Sequence, residues 1–238
     1  GDWQKIYDAI SNKEKVDSKD VKEKIFKLKY HCITILDEDY PDFFKTINNP
    51  PFVVFYKGDI SLLSSLKKRI AIIGSRKHSD YGDRMSKKLI STIPKDIILV
   101  SGLAKGIDSL VHKRAIENNL RTIAVIGNGI DVFYPKENKI LQEEIAENQL
   151  ILSEYPSNTQ SKKENFPIRN RIIAAISEKI IVIESILKSG TMITVNHALN
   201  MGKDVYCCPQ QGDIESGCNM LIKQGAKLIC NIDDVFDD

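Results

Sequence analysis

Short apolar, β-branched runs alternate with amphipathic stretches along the chain after Lys68. Strands that are apolar at nearly every position are buried on both faces, which is typical of a parallel sheet covered by helices. The pattern predicts an α/β fold with a doubly wound, mostly parallel sheet, whose ligands bind beyond the carboxyl ends of the strands. The predicted strands are 69–73, 97–100, 122–126, 150–152, 180–183 and 205–208, and the clearest predicted helices are 81–93 and 108–118.

The first part of the chain has a different pattern. Residues 2–29 are charged and helical in character, and an extended segment follows at 31–36. Pro41, Pro50 and Pro51 exclude a long helix after that segment. We therefore predict two parts. Residues 1–66 form a small N-terminal helical appendage with a strand-like connector at 52–56, and residues 67–238 form the doubly wound domain.

The charge of the chain is nearly balanced, with 34 basic and 32 acidic residues and a net charge of +2. No field of the whole molecule would attract nucleic acid, so any anion site must be local. The five cysteines include no C-x-x-C pair, which indicates reduced thiols and a cytoplasmic protein without a metal site. No apolar run approaches the ~20 residues of a membrane span.

Two strand-to-helix turns offer sites for a phosphate. Gly74-Ser75-Arg76 follows the strand 69–73, and Ser189-Gly190-Thr191 lies shortly after the strand 180–183. Such a turn presents backbone N–H groups and a helix N-terminus to an anion, and Arg76 can add a bidentate contact. On residues 74–76 alone, a tight turn with a solvated arginine is an equally good interpretation.

A third turn at residues 101–108 has two glycines, Gly102 and Gly106. It lacks a complete G-x-G-x-x-G motif and an acidic residue placed to bind a ribose, so we predict no dinucleotide cofactor. A structural turn is favoured. Asp108 and His112, four residues apart on the next helix, are expected to form a structural hydrogen bond rather than an acid/base couple. The three turns should converge on one edge of the sheet.

The segment 166–171 opens a helix with two arginines, Arg169 and Arg171, near its N-terminus, where anions are attracted. Residues 162–188 contain six basic and three acidic residues, a local excess of +3. Phe166 has two interpretations, a platform that stacks a nucleobase or a hydrophobic staple against the helix.

The order of these motifs resembles the DNA-processing protein A (DprA, or Smf) family of natural transformation, over about residues 35–228. The motifs are Gly74-Ser75-Arg76, Ser101-Gly102-Leu103-Ala104-x-Gly106-Ile107-Asp108 with His112, 122–129 before Tyr134-Pro135, Ser153-Glu154-Tyr155-Pro156, Phe166-Pro167-x-Arg169-Asn170-Arg171, 184–191 and Cys218-Asn219-x-Leu221-Ile222-x-x-Gly225-Ala226.

The resemblance implies an extended Rossmann-like fold that binds single-stranded DNA, forms homodimers and loads the RecA recombinase onto incoming strands. It implies no catalytic residue, cofactor or metal. The DNA-binding residues that it implies are Gly74, Ser75, Arg76, Phe166, Arg169, Asn170, Arg171, Ser189, Gly190 and Thr191. The chain departs from the family pattern at Cys207, Cys208 and Cys218, which we interpret as packing variations beside the sheet edge.

Two other functions remain open at this point. A nucleotide phosphoribohydrolase would use Glu184 as the catalytic carboxylate and Arg76 or Arg169 to hold the phosphate. Against it, residues 187–191 replace the Pro-Gly-Gly-x-Gly-Thr signature of those enzymes. In the other alternative, the basic edge docks an acidic protein and binds no nucleic acid.

Overall fold

The computed structural model describes residue 8, residues 11–12 and residues 29–236. Of the predicted helical stretch 2–29, only residues 8, 11, 12 and 29 lie within this range. The helices within it are α1 (Asp42–Lys45), α2 (Asp80–Ser91), α3 (Ile107–Glu117), α4 (Lys139–Asn148), α5 (Asn165–Ile176), α6 (Gly190–Asn200) and α7 (Gly217–Lys223). Short 3-10 turns lie at Ile60–Leu63, Lys136–Asn138 and Ile232–Val235.

The described residues form a single nine-stranded sheet in the order β1-β2-β6-β5-β4-β3-β7-β8-β9. Its strands are β1 (His31–Thr34), β2 (Val53–Gly58), β3 (Lys68–Ile73), β4 (Ile97–Ser101), β5 (Arg121–Ile126), β6 (Leu150–Ser153), β7 (Lys179–Val182), β8 (Asp204–Cys207) and β9 (Lys227–Leu228). The pairs β1–β2 and β2–β6 are antiparallel, and the others are parallel. The doubly wound, mostly parallel sheet is therefore confirmed.

The strand order places a topological switch point between β3 and β7. The chain runs outward from β3 through β4 and β5 to β6, and then returns to β7 on the other side of β3. The loops that leave β3 and β7 consequently diverge and open a crevice at their carboxyl ends. Ligands of open α/β sheets bind in crevices of this kind.

The extended segments before residue 66 join the same sheet. In β2, Phe55 lies opposite Ser153 of β6, and β1 adds an outer strand. Ile33 of β1 and Phe44 of α1 pack in one hydrophobic cluster with Ile173 of α5. The domain boundary between residues 66 and 67 stays a prediction.

Helices cover both faces of the sheet because successive side chains of each strand point to opposite sides. In β3, Ala71 and Ile73 belong to the cluster that includes α5 and α6, whereas Ile70 and Ile72 belong to the cluster that includes α2 and α3. No helix in the described part of the chain is both long and apolar enough to cross a bilayer.

Candidate nucleic-acid interface

A cavity of about 500 Å³ opens where β3 and β7 diverge. Its walls are the loops after these two strands and the first turns of α5 and α6. Nine of the ten predicted DNA-binding residues line it, namely Gly74, Ser75, Arg76, Phe166, Arg169, Asn170, Ser189, Gly190 and Thr191. The sequence therefore identified one contiguous surface, although the role of each residue in binding DNA stays a prediction.

The cavity is strongly basic. Five cationic side chains and one carboxylate line it: Arg76, Lys77, Lys163, Arg169, Lys188 and Asp108. The three lysines are not among the ten predicted DNA-binding residues, although Lys163 and Lys188 lie in the basic segment 162–188. Lys77 follows Arg76, and Lys188 precedes Ser189. A local excess of positive charge is therefore present at the switch point, although the net charge of the whole chain is only +2.

The turn after β3 is held by hydrogen bonds from Ser75. The Ser75 N–H donates to the carbonyl of Glu184 at 2.8 Å, and its Oγ donates to the carbonyl of Lys77 at 2.8 Å. That Oγ also accepts from the Lys77 N–H at 3.2 Å. These groups are engaged within the protein, so Ser75 shapes the turn, and Arg76 is left exposed beside it.

The N-terminus of α6 is fixed above the same cavity. The Oγ1 of Thr191 donates to the carbonyl of Gly74 at 3.1 Å, and Nδ2 of Asn170 donates to the carbonyl of Gly190 at 3.0 Å. The Ser189 hydroxyl lies 2.9 Å from that of Ser185 and caps none of the described helix amides. A helix N-terminus carries partial positive charge, which favours an anion at this point.

The turn after β4 packs tightly on the turn after β3. Gly106 has φ +77°, and a Cβ there would lie 2.2 Å from the carbonyl oxygen of Ser75. Only glycine adopts this backbone without strain and permits so close an approach. The Ile107 N–H donates to the same carbonyl at 3.1 Å. The two turns are therefore locked together at the base of the cavity.

Asp108 lies against the turn after β4, where a Cβ on Gly102 would be only 2.6 Å from its Oδ2. Burial raises the pKa of Asp108, while the charge of Arg169 and backbone hydrogen bonds from Ala104 and Gly102 oppose that shift. The prediction of a structural turn at 101–108 is confirmed.

His112 is completely buried one turn further along α3. Its Nδ1 lies 2.7 Å from Oγ1 of Thr122, which itself donates to the carbonyl of Leu99 at 2.9 Å. Burial lowers the pKa of His112 to about 3, so the ring is neutral at physiological pH. The hydrogen bond is structural as predicted, but its partner is Thr122 rather than Asp108.

Arg169 is a fixed, buried cation in the wall of the cavity. Its Nη1 donates to the carbonyls of Gly102, at 2.5 Å, and Val125, and its Nε donates to Oδ1 of Asn170 at 3.1 Å. Burial lowers its pKa to about 10, while the neighbouring Asp108 opposes the shift, so it stays charged at neutral pH. It contributes positive electrostatic potential to the cavity and links the turn after β4, strand β5 and helix α5.

Arg171 does not line the cavity with the other nine predicted residues, and its role in binding DNA stays a prediction. Its Nη2 donates to both carboxylate oxygens of Glu154 at 2.8 Å, and the side chains of both residues are only 6% exposed. Residues two positions apart on a helix point in nearly opposite directions. Arg169 and Arg171 therefore cannot both face the cavity, and Arg171 forms a buried ion pair behind it.

Glu184 also lies outside the residues that line the cavity. Its Oε2 accepts from the N–H and from the Oγ of Ser79, both at 3.0 Å. Ser79 is the N-cap of α2, so the carboxylate stabilises the start of that helix. The position that the phosphoribohydrolase alternative would use for catalysis is therefore engaged in helix capping.

The three cysteines that depart from the family pattern have fully buried side chains. Cys207 ends β8, and Cys218 lies in α7, where its Sγ is 3.7 Å from the carbonyl oxygen of Val182. The interpretation of Cys207, Cys208 and Cys218 as packing residues is confirmed by this burial.

Residues 31–238 match the DNA recombination-mediator protein A family. The DNA processing protein DprA of Streptococcus pneumoniae is 43% identical over 210 residues, covering 87% of this chain and 74% of that protein. The corresponding protein of Bacillus subtilis is 41% identical over 211 residues, covering 87% and 71% of the two chains.

Solved structures agree with these sequence relationships. The X-ray structure of DNA processing protein A from S. pneumoniae has a TM-score of 0.87 at 41% identity and covers 94% of this chain and 78% of that one. DNA processing protein A from Helicobacter pylori, whose structure is described as showing a single-stranded DNA binding mode, has a TM-score of 0.78 at 32% identity. The match covers 89% and 95% of the two chains.

Proposed function

The chain belongs to the DNA recombination-mediator protein A family, and on this premise we propose that it is a DNA-processing protein that binds single-stranded DNA in the cavity between β3 and β7. The observation that carries the proposal is the concentration of five cationic side chains at the switch point of a chain whose net charge is only +2. A polyanion is the ligand that such a surface favours. The structural relative from H. pylori, described as binding single-stranded DNA, supports the same ligand.

Backbone phosphates would occupy the polar side of this cavity. Arg76, Lys77, Lys163 and Lys188 supply mobile charge, and the first turn of α6 at Gly190 supplies backbone donors. Arg169 contributes positive electrostatic potential from its fixed position in the wall. Ser75, Asn170 and Thr191 act by holding the turns in position, since their polar groups already bond within the protein. Arg171 has no place in the proposed contact set.

The apolar part of the cavity lining suits bases. It includes Ile173, Ile186, Ile193, Pro167 and Phe166. Ile186 is 61% exposed at the mouth, where an apolar side chain gains from covering a base. This pairing of a cationic wall with an apolar one is typical of proteins that bind single strands without sequence preference.

The proposal includes no chemical change to the DNA. It also includes, by resemblance to the family, transfer of the bound strand to a RecA recombinase, self-association into homodimers and a role in natural transformation. A dimer would place two cavities on one strand and raise the affinity without new contacts. A cytoplasmic location fits the five cysteines, all of which are free thiols.

Fluorescence anisotropy with labelled oligo-dT and with a duplex of equal length tests the proposal. We expect single strands to bind more tightly, with an affinity that decreases as salt is raised. Equal affinity for both, or no dependence on salt, would contradict DNA binding in this cavity. Release of adenine from AMP by the purified protein would contradict the absence of catalysis.

A further inference from the structure

We propose that the DNA-binding surface continues past Phe166 into a second, smaller compartment, where one unstacked nucleobase lies against the ring of Tyr134. The inference rests on the proposed function, because it assigns a base-binding site to the same strand. It adds Tyr134, which no motif singled out as a ligand contact. It also divides the surface into a part that binds phosphates and a part that requires a base.

The second compartment is a cavity of about 110 Å³ that adjoins the large one. Arg76, Phe166 and Arg169 line both cavities, so a ligand can extend from one to the other across these side chains. Tyr134 and Pro135 line only the smaller cavity. The volume suits a single planar ring, whereas the large cavity has room for several nucleotide parts.

The aromatic geometry favours stacking. The rings of Tyr134 and Phe166 are stacked, with centroids 5.3 Å apart and an angle of 28° between their planes. Tyr134 remains 43% exposed although it packs on Phe166, so much of its surface is open to a ligand. Stacking on an exposed aromatic side chain is a principal way in which proteins hold bases of single strands.

The remaining walls are narrow and rigid. Asn165 Nδ2 donates to the carbonyl of Gly127 at 2.8 Å, and Asn128 Nδ2 donates to the carbonyl of Val132 at 2.7 Å. Gly127 itself leaves little space, because a Cβ there would lie 3.0 Å from the Phe166 ring. Fixed walls beside an aromatic ring favour a flat ligand that slides in edgewise.

The charge beside the compartment identifies the ligand as a base attached to an anionic backbone. Arg76 lies at the junction of the cavities, and Lys105 lines the small cavity. A neutral aromatic molecule would use the Tyr134 ring but gain nothing from these cations. A nucleotide unit of single-stranded DNA uses both, because its phosphate faces the cations while its base enters the compartment.

The test compares oligo-dT with a base-free oligomer of the same length, in which every nucleotide is an abasic tetrahydrofuran phosphate unit. The affinities of both oligomers are measured in competition binding experiments with three variants of the protein, Tyr134→Leu, Tyr134→Phe and Phe236→Leu. Phe236 is 37% exposed and lines neither cavity, so its variant is a matched control for the loss of a surface ring. We expect Tyr134→Leu to weaken oligo-dT binding roughly 10-fold and to leave the base-free oligomer unaffected.

Tyr134→Phe should restore binding, because it keeps the ring and removes only the hydroxyl. Unchanged binding of oligo-dT by Tyr134→Leu, or an equal loss for both oligomers, would overturn the base compartment while leaving the proposed function intact. If the unmodified protein bound neither oligomer, the proposed function and this inference would both fail. Thermal unfolding of each variant excludes loss of the fold as the cause.

Discussion

The guanidinium carbon of Arg76 lies 5.3 Å from the centroid of the Phe166 ring. This exposed cation therefore rests on the aromatic side chain that lines both cavities. A contact of this kind at an exposed site contributes about 0.5–1 kcal/mol, which positions the charge without immobilising it. A phosphate that enters the large cavity can therefore bind Arg76 with little rearrangement.

Replacement of Arg76 by alanine should weaken the binding of every single-stranded sequence by a similar factor. The reason is that contacts to phosphates carry no information about the bases. The dependence of log affinity on log salt should become shallower by about 0.7, the value for one lost phosphate contact on a single strand. Anisotropy titrations of oligo-dT and a mixed-sequence oligomer over a series of salt concentrations measure both quantities.

Arg84→Ala is the matched control for this experiment, since Arg84 is an exposed arginine of α2 that lines neither cavity. It should leave affinity and salt dependence unchanged. A loss in Arg76→Ala that is restricted to one sequence would contradict the phosphate role of Arg76.

Replacement of Glu137 by glutamine should raise the affinity for single-stranded DNA about 2- to 3-fold at low salt. Glu137 Oε1 lies 2.5 Å from Nζ of Lys105, which lines the smaller cavity, and both side chains are more than half exposed. The change removes a negative charge beside the strand and frees a lysine. The gain should disappear as salt is raised, because exposed charges are screened.

Glu143→Gln makes the same change of charge at a different place. Glu143 lies 3.9 Å from Lys139 and lines neither of the two cavities. It should have little effect on DNA affinity. Equal gains from Glu137→Gln and Glu143→Gln would mean that net charge alone governs binding, which would contradict a local role for Lys105.

The sheet could be predicted because its strands are apolar runs that need no partner to be recognised. Residues 180–183 read as a buried strand, and β7 is found at Lys179–Val182. The pairing of β2 with β6 could not be predicted, because the antiparallel register of Phe55 opposite Ser153 depends on residues that are far apart in sequence. A local pattern contains no information about such a contact.

In the candidate site, too, local features could be predicted from the sequence, whereas contacts between distant residues could not. Turns such as Gly74-Ser75-Arg76 were found because their backbone chemistry is local. The partners of Arg171 and Ser75, namely Glu154 and Glu184, were missed, since their positions beside these residues are defined only by the fold. Helical spacing alone could have separated Arg169 from Arg171. Tyr134 belonged to a family motif, but its stacking on Phe166 could not be predicted, because it joins a loop and helix α5 that are distant in sequence.

The ion pair between Arg171 and Glu154 should stabilise the fold without contributing to DNA binding. Arg171→Met should lower the free energy of unfolding by about 3–5 kcal/mol, because it removes the cation that pairs with both oxygens of the buried Glu154 carboxylate. Urea unfolding measures the loss. The folded variant should bind oligo-dT with unchanged affinity at low temperature.

The double variant Arg171→Met with Glu154→Leu should recover most of this stability, since it replaces both buried charges with apolar side chains. Weaker DNA binding by the folded double variant would instead return Arg171 to the binding surface, contrary to its position behind the cavity.

His112 should make the free energy of unfolding depend on pH between about pH 3 and pH 6.5, which are the pKa values of its side chain in the folded and in the unfolded chain. Burial lowers the pKa of His112 to about 3 from 6.5, so below pH 6.5 the unfolded chain binds a proton that the folded protein does not. The stabilisation is complete above pH 6.5 and decreases as the pH falls toward 3. Between pH 7 and pH 5, this one group should account for a loss of about 2 kcal/mol.

Urea unfolding of the protein and of His112→Gln at a series of pH values measures this contribution. Glutamine can still donate to Oγ1 of Thr122 but does not titrate, so the variant should be less stable at pH 7 and less sensitive to acid. The difference in unfolding free energy between pH 7 and pH 5 should shrink by about 2 kcal/mol relative to the unmodified protein. The same acid sensitivity in both proteins would show that His112 is protonated in the folded state, and that its contact with Thr122 does not require the neutral ring.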